Sequence, residues 1–442
     1  MTVPRILIVG GGYVGMYAAL RLQRRLRREL ARGQVRITVA DYDSYMTYQP
    51  FLPEAAAGNI EPRHVVVPLR RVLRPCEILS GRVRSVSLAD RTAEFRPHEG
   101  PDYTIHYDYL VFAPGSVSRL LPIPGLTEHG IGFKTVEEAI HLRNHVLLKL
   151  DVAASTTDER VRRRALTFVF VGGGYAGVEV LGELEDMAAD ACRSFEGISR
   201  GDMRWVLVEA SDRILPEVGP DMARWTADEL RRRGIEVRTR TLLRSAENGH
   251  IVLSDGQEFD AETLVWTAGV KPHPLSCSGD LPLDEKGRVK VTATMRIQGT
   301  GFAFSAGDVA AVPDLTRPGE FCAPSAQHAV RQAGRLADNV VATMKGRPCE
   351  PYAHRNAGSV ASLGLYKGVA EVYGYQVRGF PAWFMHRTYH LMRMPTFNKK
   401  SRILMDWTLG LLFPREIVSL GAFQRPRAEF EAAARTSAPT RP

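Results

Sequence analysis

The sequence predicts an α/β fold built on two Rossmann-like dinucleotide-binding domains with a C-terminal membrane-associating segment, and three observations lead there. One grammar of strand, glycine loop and helix occurs twice, from Arg5 to about Ala31 and from Leu166 to about Ala191. Each copy is followed by a β-rich run ending in an acid, Val35 to Asp41 and Met203 to Glu209. Between Phe380 and Arg415, six Lys or Arg stand against one acid, Asp406, among aromatic and apolar residues.

In the first copy, the apolar run Arg5-Ile-Leu-Ile-Val9 has the length of a buried strand. Gly10-Gly-Gly-Tyr-Val-Gly15 follows, then a helical pattern from Met16. The second copy reads Leu166-Thr-Phe-Val-Phe-Val171, then Gly172-Gly-Gly-Tyr-Ala-Gly177, then a helix. Each is a G-x-G-x-x-G fingerprint. The first glycine (Gly10, Gly172) makes a tight turn, the second (Gly12, Gly174) lets backbone approach a pyrophosphate, and the third (Gly15, Gly177) lets helix pack on strand. The phosphates would sit on free N–H groups at the helix start, and the acids Asp41 and Glu209 would accept from a ribose 2′-OH. These acids lie 26 and 32 residues past the last glycine, beyond the usual ~20. The excess fits a lengthened first helix carrying Arg24 to Arg28, and a loop around Phe195 to Gly201.

Two such sites in one chain point to a flavin and a nicotinamide. A further pair of short strands, Tyr107 to Gly115 and Ala261 to Gly269, occurs once after each fingerprint and ends in small residues where a cofactor can approach backbone. Gly301 to Asp308 is a third such element. Its Asp308, opening the helix that runs through Ala326 to Val341, would accept from a ribityl hydroxyl or serve as an N-cap.

Composition excludes other classes. At roughly 100 to 200 residues per domain, 442 residues make two or three domains. With 44% hydrophobic and 24% charged residues the chain is neither disordered nor a fibrous repeat. Five scattered cysteines form no CxxC, so no zinc site, other metal or disulfide framework is expected. The N-terminus lacks the layout of a secretory signal, and the longest apolar run, Ile403 to Phe413, is too short to span a bilayer. The net charge of +9 leaves nucleic acid or an anionic membrane as partners. No aromatic-interleaved basic motif supports nucleic acid, and Arg24 to Arg28 reads as a solvated helix face.

At these residues the chain resembles the two-dinucleotide-domain flavoproteins, the pyridine nucleotide oxidoreductases, and looks most like the type II NADH dehydrogenases, the single-chain NADH:quinone oxidoreductases. Family-like stretches include Gly10 to Gly15, Tyr48-Gln-Pro-Phe-Leu52, Gly172 to Glu179, Arg213-Ile-Leu-Pro216, Gly307-Asp308, Pro324 to Ala329 and Gly358 to Gly364. The resemblance implies FAD at Gly10, Gly12, Tyr13, Gly15, Asp41, Val83, Gly115, Asp308 and Ala329. It implies NADH at Gly172, Gly174, Gly177, Glu209 and Gly269, and catalytic positions at Glu179 and Gln327. A first-turn acid on its helix is the structural alternative for Glu179. The chain departs from the family's Ala-Gln-x-Ala-x-Gln motif, with Arg331 in place of the second Gln and Gln332 one residue later, and it has Pro114 where the family has Thr. No Cys follows Asp41 before Gly58, against a disulfide reductase, and Cys322 reads as a packing residue.

The expected divisions are an FAD-binding domain at 1–135 and 289–345, an NADH-binding domain at 136–288, a C-terminal domain with interfacial helices at 346–425 and a disordered tail at 426–442. The basic and apolar C-terminal segment, with Trp383 and Trp407, fits helices lying in the plane of an anionic membrane. Expected partners are NADH, a quinone of menaquinone or ubiquinone type and the cytoplasmic side of the cell membrane, held peripherally, with a homodimer left open. The competing reading is an FAD-dependent NAD(P)H reductase of a small protein carrier, or an NADH-responsive flavoprotein binding module.

Overall fold

The structure is a computed structural model that describes residues 3–354, 358–420 and 431. The expected disordered tail at 426–442 lies, apart from Glu431, outside the described residues. By contact the chain divides into two compact units, one of residues 1–47, 66–119 and 269–356, the other of 48–65, 120–268 and 357–442. In the first unit Ser116–Ser118 pairs antiparallel with Val270–Pro272. That pairing draws both connecting segments into the first unit, so the chain passes between units at 119 and 269, where sequence alone placed 135 and 288.

The first unit is organised by a seven-stranded sheet. Its parallel part runs Ala303–Ser305, Tyr109–Phe112, Arg5–Val9, Arg36–Asp41 and Glu77–Ser87. Thr92–Pro97 and Tyr103–His106 extend the edge antiparallel. Ile6 to Val9 are at most 2% exposed, which is why their run is apolar without alternation. The fingerprint helix, Tyr13–Arg25, packs against Ala326–Met344. It ends one residue before Leu26, and a separate short helix, Arg27–Ala31, follows, so the single long helix expected to Ala31 is two. Arg21 and Arg25 are not simply solvated, since both pair with Asp338 at 2.9 Å.

The second unit holds a five-stranded parallel sheet in the order Gly130–Gly132, Thr263–Trp266, Thr167–Val171, Arg204–Val208, Ile235–Arg238. Val169, Val206, Leu264 and Trp266 fill one of its faces. The second fingerprint helix, Tyr175–Ala191, leads into the expected loop region, which carries two short 3₁₀ turns, Cys192–Ser194 and Arg200–Asp202. A three-stranded antiparallel sheet, Gly358–Ser362, Gly368–Val372 and Tyr375–Arg378, precedes two helices, Phe380–Arg393 and Phe397–Leu412. A Cβ on Gly182 would overlap the backbone of Leu363, so only glycine lets the fingerprint helix lie this close to that sheet.

Candidate cofactor and catalytic site

The first glycine loop is shaped by what surrounds each position. Gly10 has φ +98°, and a Cβ there would strike the Ala113 carbonyl, while one on Gly15 would strike the carbonyl of Gly10. Gly12 is different: a Cβ there meets nothing within 4 Å. It is the N-cap of Tyr13–Arg25, with no side-chain cap and no acid in the first turn. A helix start left bare of capping groups, with open space before it, is a cradle for a pyrophosphate. Asp41 Oδ2 accepts from the Gly11 amide at 2.5 Å and Oδ1 from the Asp43 amide at 2.8 Å. Burial raises its carboxyl to about 6, against the downward pull of those two amides. These residues fit the phosphates and ribose of FAD.

Asp308 does not open the long helix. It lies in a 3₁₀ turn, Gly307–Val309, where its Oδ2 accepts from the Ser116 hydroxyl at 2.6 Å. The N-cap of Ala326–Met344 is Ser325, whose hydroxyl accepts from the His328 amide. Ala329 is buried, Gln327 is half-buried on the first turn of that helix, and Val83 is half-buried on Glu77–Ser87. Gly115 turns at φ +76° with nothing within 4 Å of a Cβ, and Gly269 does so at φ +90°. Gln332 is buried, and its Oε1 accepts from the Gly307 amide at 2.8 Å. It therefore braces the Gly307-Asp308 turn. Arg331 donates to the Gln327 carbonyl at 3.0 Å. The Cys322 thiol faces the Pro313 carbonyl, and burial raises its pKa, as for an inert packing thiol.

The second loop repeats this construction. Gly172 has φ +116° against Thr267, and a Cβ on Gly177 would strike the Gly172 carbonyl and the Thr267 hydroxyl. Gly174 caps Tyr175–Ala191 without a side-chain bond, and a Cβ there meets nothing within 4 Å. Glu209 Oε2 accepts from the Gly173 amide at 2.6 Å, and Oε1 from the Ser211 amide at 2.7 Å and from its hydroxyl. Thr267, unremarked in the sequence, donates to the Val171 and Gly172 carbonyls at 3.0 and 3.1 Å and so clamps the turn. Arg213 donates to the Pro216 carbonyl at 3.1 Å.

Glu179 lies beyond the first turn of its helix, so it is not a dipole-complementing first-turn acid. It is 7% exposed. Its Oε1 accepts from the Ser362 amide at 3.0 Å and lies 3.2 Å from His386 Nε2. Glu183, one turn on and fully buried, accepts from Asn59 Nδ2 and the Ser362 hydroxyl, each at 2.8 Å. Glu54 Oε2 meets Arg387 Nη2 and Trp407 Nε1, each at 2.8 Å. The Arg387 guanidinium lies 4.2 Å from the Trp383 ring centroid and 4.7 Å from that of Trp407. Burial pulls the His386 imidazole down, but its bond to Glu179 and the charges of Glu179, Glu54 and Glu183 outweigh this and leave it raised.

This cluster narrows the C-terminal reading to the residues that stay exposed. Arg387 is 8% exposed and Trp383 6%, and the indole of Trp407 is turned to Glu54. None of the three faces outward as the membrane argument supposed, and Asp406 is held by His64 at 2.6 Å. Sequence reasoning missed Glu54, Glu183, His386 and Arg387. One signal was there: Glu179 and Glu183, four apart, share a helix face, and two acids on a buried face demand cations from elsewhere.

Residues 4–333 match the family model described as pyridine nucleotide-disulphide oxidoreductase. The type II NADH:quinone oxidoreductase Ndh of Mycobacterium tuberculosis is 28% identical over 96% of this chain and 92% of its own. That of Staphylococcus epidermidis is 29% identical over 87% and 93%. Among solved structures, NDH2 of Plasmodium falciparum in complex with NADH superposes with a TM-score of 0.85 at 16% identity, covering 94% of this chain and all of that one.

Proposed function

We propose that this chain, which belongs to the pyridine nucleotide-disulphide oxidoreductases and within them to the type II NADH dehydrogenases, takes a hydride from NADH onto FAD and passes two electrons to a quinone at a membrane surface, without pumping protons. One observation carries this reading: the chain has two bare, open helix starts, each with its own acid on the glycine loop. FAD, when bound, supplies the hydride-accepting and two-electron-donating chemistry. Gly12 and the Tyr13–Arg25 helix start hold its phosphates, with Asp41 on its ribose and Asp308 toward its ribityl chain. Gly174 and the Tyr175 amide region hold the NADH phosphates, and Glu209 accepts from the ribose. A carboxylate there repels a 2′-phosphate and so favours NADH over NADPH. Glu179 and Gln327 are the residues assigned to the acceptor's half-reaction. Anaerobic NADH should bleach the flavin of FAD-replete protein, and a soluble menaquinone analogue should restore its colour. Arg331, turned to the Gln327 carbonyl where a Gln is usual, keeps one alternative acceptor in the same experiment. Recolouring only by a small protein carrier, and not by quinone, would replace the quinone reading.

Among the described residues, no helix is long and apolar enough to cross a membrane. The support for peripheral attachment is the outward face of Phe397–Leu412. Phe397, Met405, Leu411 and Leu412 are 83%, 62%, 69% and 71% exposed, beside the cations of Lys399, Lys400 and Arg402. Apolar side chains rimmed by lysine and arginine suit an anionic interface, here on the cytoplasmic side. Placing carboxylates on this face by Phe397→Glu with Leu412→Glu should release the protein from anionic vesicles in a flotation assay while leaving flavin bleaching by NADH intact. Undiminished flotation would exclude this face as the attachment.

A further inference from the structure

We propose that the second unit carries a separate anion site at the end of its parallel sheet away from the glycine loop, and that the site takes a small phosphate dianion, free or as a monoester. A cavity of about 230 Å³ opens there, and its wall includes His129, Lys149, Arg164, Gly249, Glu262 and Leu264.

Position separates this cavity from the dinucleotide cradle. Thr263–Trp266 lies parallel to Thr167–Val171. Glu262 therefore stands where these strands begin, and Thr267, which clamps Gly172, where they end. At about 3.3 Å per residue the two are roughly 16 Å apart. An occupant of the cavity does not compete for the bare helix start at Gly174.

Charge selects the ligand. Lys149 Nζ meets Glu262 Oε2 at 2.6 Å, and Arg164 Nε lies 3.5 Å from Glu262 Oε1. One carboxylate thus faces two cations, with the His129 ring on the same wall. Asp260 adds nothing to the balance, because His250 holds it at 2.8 Å and Arg160 at 3.2 Å. His145 adds no charge either. Its Nε2 meets the Glu262 carbonyl at 3.2 Å and the Thr263 hydroxyl at 3.0 Å. Burial, then the charges of Lys149 and His141, push its imidazole down to about 4.

The cations also have donors to spare. The Lys149 side chain is 16% exposed and that of Arg164 32%. Arg164 Nη2 donates to the Asn248 carbonyl at 2.7 Å, whereas its Nε is buried without a hydrogen-bond acceptor among the described residues. Gly249 turns at φ +73°, and a Cβ there would crowd Arg164 Nη2 and the Ala261 carbonyl, so glycine lets the guanidinium lie along this wall. An ammonium and a guanidinium drawn partly out of water, with one carboxylate between them, leave a cationic surplus that a bound anion offsets. Phosphate suits the pair because its oxygens accept from both groups at once, in the forked geometry that arginine favours.

Calorimetric titration of FAD-replete protein with inorganic phosphate, in saturating NAD⁺ and at constant ionic strength, tests the site. The two cofactors keep the glycine-loop cradles filled. Saturable phosphate binding is expected. Lys149→Met should weaken it about tenfold to a hundredfold, the range for a hydrogen bond between charged groups. Glu262→Gln should tighten it, since the competing carboxylate is gone while both cations remain, and this variant carries the test if Lys149→Met does not fold. Glycerol 3-phosphate in place of phosphate separates the two sources. Equal or tighter binding of the ester supports a site for phosphorylated metabolites, and its exclusion supports one for the free ion. No saturable binding in either the wild type or Glu262→Gln would overturn the proposal. So would an affinity that neither substitution moves, because phosphate would then sit in a glycine loop. None of these outcomes bears on the quinone reading.

Discussion

Gly177→Ala is expected to leave flavin bound and to slow its reduction by NADH about a hundredfold or more. The added methyl would land on the Gly172 carbonyl and the Thr267 hydroxyl, and that hydroxyl already holds the Val171 and Gly172 carbonyls. The turn has no slack. Relief requires moving the helix start that receives the pyrophosphate or opening the Thr267 clamp. A displacement of about 1 Å between reacting groups costs roughly a hundredfold in rate, so the bleaching rate in stopped flow should fall by about that factor or more. Gly174→Ala is the control, because its Cβ meets no protein atom. The methyl there occupies space meant for phosphate, so thermal stability should be unchanged while much more NADH is needed for the same rate. Bleaching at the wild-type rate in Gly177→Ala would mean that the nicotinamide binds elsewhere.

Arg387→Ala should be among the most damaging single changes to stability. Glu54 is 1% exposed and has Arg387 and the Trp407 indole as its bonded partners. Removing one member of a buried pair costs about 3–5 kcal/mol, because the remaining charge is left without compensation. The guanidinium also fills the space between two indole rings, and that packing is lost with it. Urea denaturation should show the loss. Adding Glu54→Gln to Arg387→Met should recover most of it, since a neutral amide beside an apolar chain carries no stranded charge. An unfolding free energy for Arg387→Ala within about 1 kcal/mol of the wild type would show that water already solvates Glu54.

What could be read in advance follows from how far apart in sequence the partners lie. Strand, glycine loop, helix and acid are local, and their spacing alone identified Gly10 to Gly15, Gly172 to Gly177, Asp41 and Glu209. Asp308 was misplaced because a glycine-acid pair at a strand end looks the same whether a helix or a 3₁₀ turn follows, and Ser325 caps the helix instead. The cluster around Glu179 was illegible for a different reason. Its acids come from two places in the first half of the chain, Glu54 from one and Glu179 with Glu183 from the other, and its cations from one helix near the end. Arg387, Trp383 and Trp407 have the composition of an interfacial segment, and composition carries no record of which side of a helix is covered. Only the face, set by packing against Glu54, separates an inward arginine from an outward one.

The C-terminal helices are therefore not a detachable anchor. Phe380–Arg393 delivers His386 and Arg387, and Phe397–Leu412 delivers Trp407, to the buried carboxylates of Glu179 and Glu54. A protease cut or premature stop before Phe380 would strip those acids of their counterions. Losing these two helices would therefore remove buried ion-pair partners of the second unit together with the exposed apolar side chains of Phe397–Leu412.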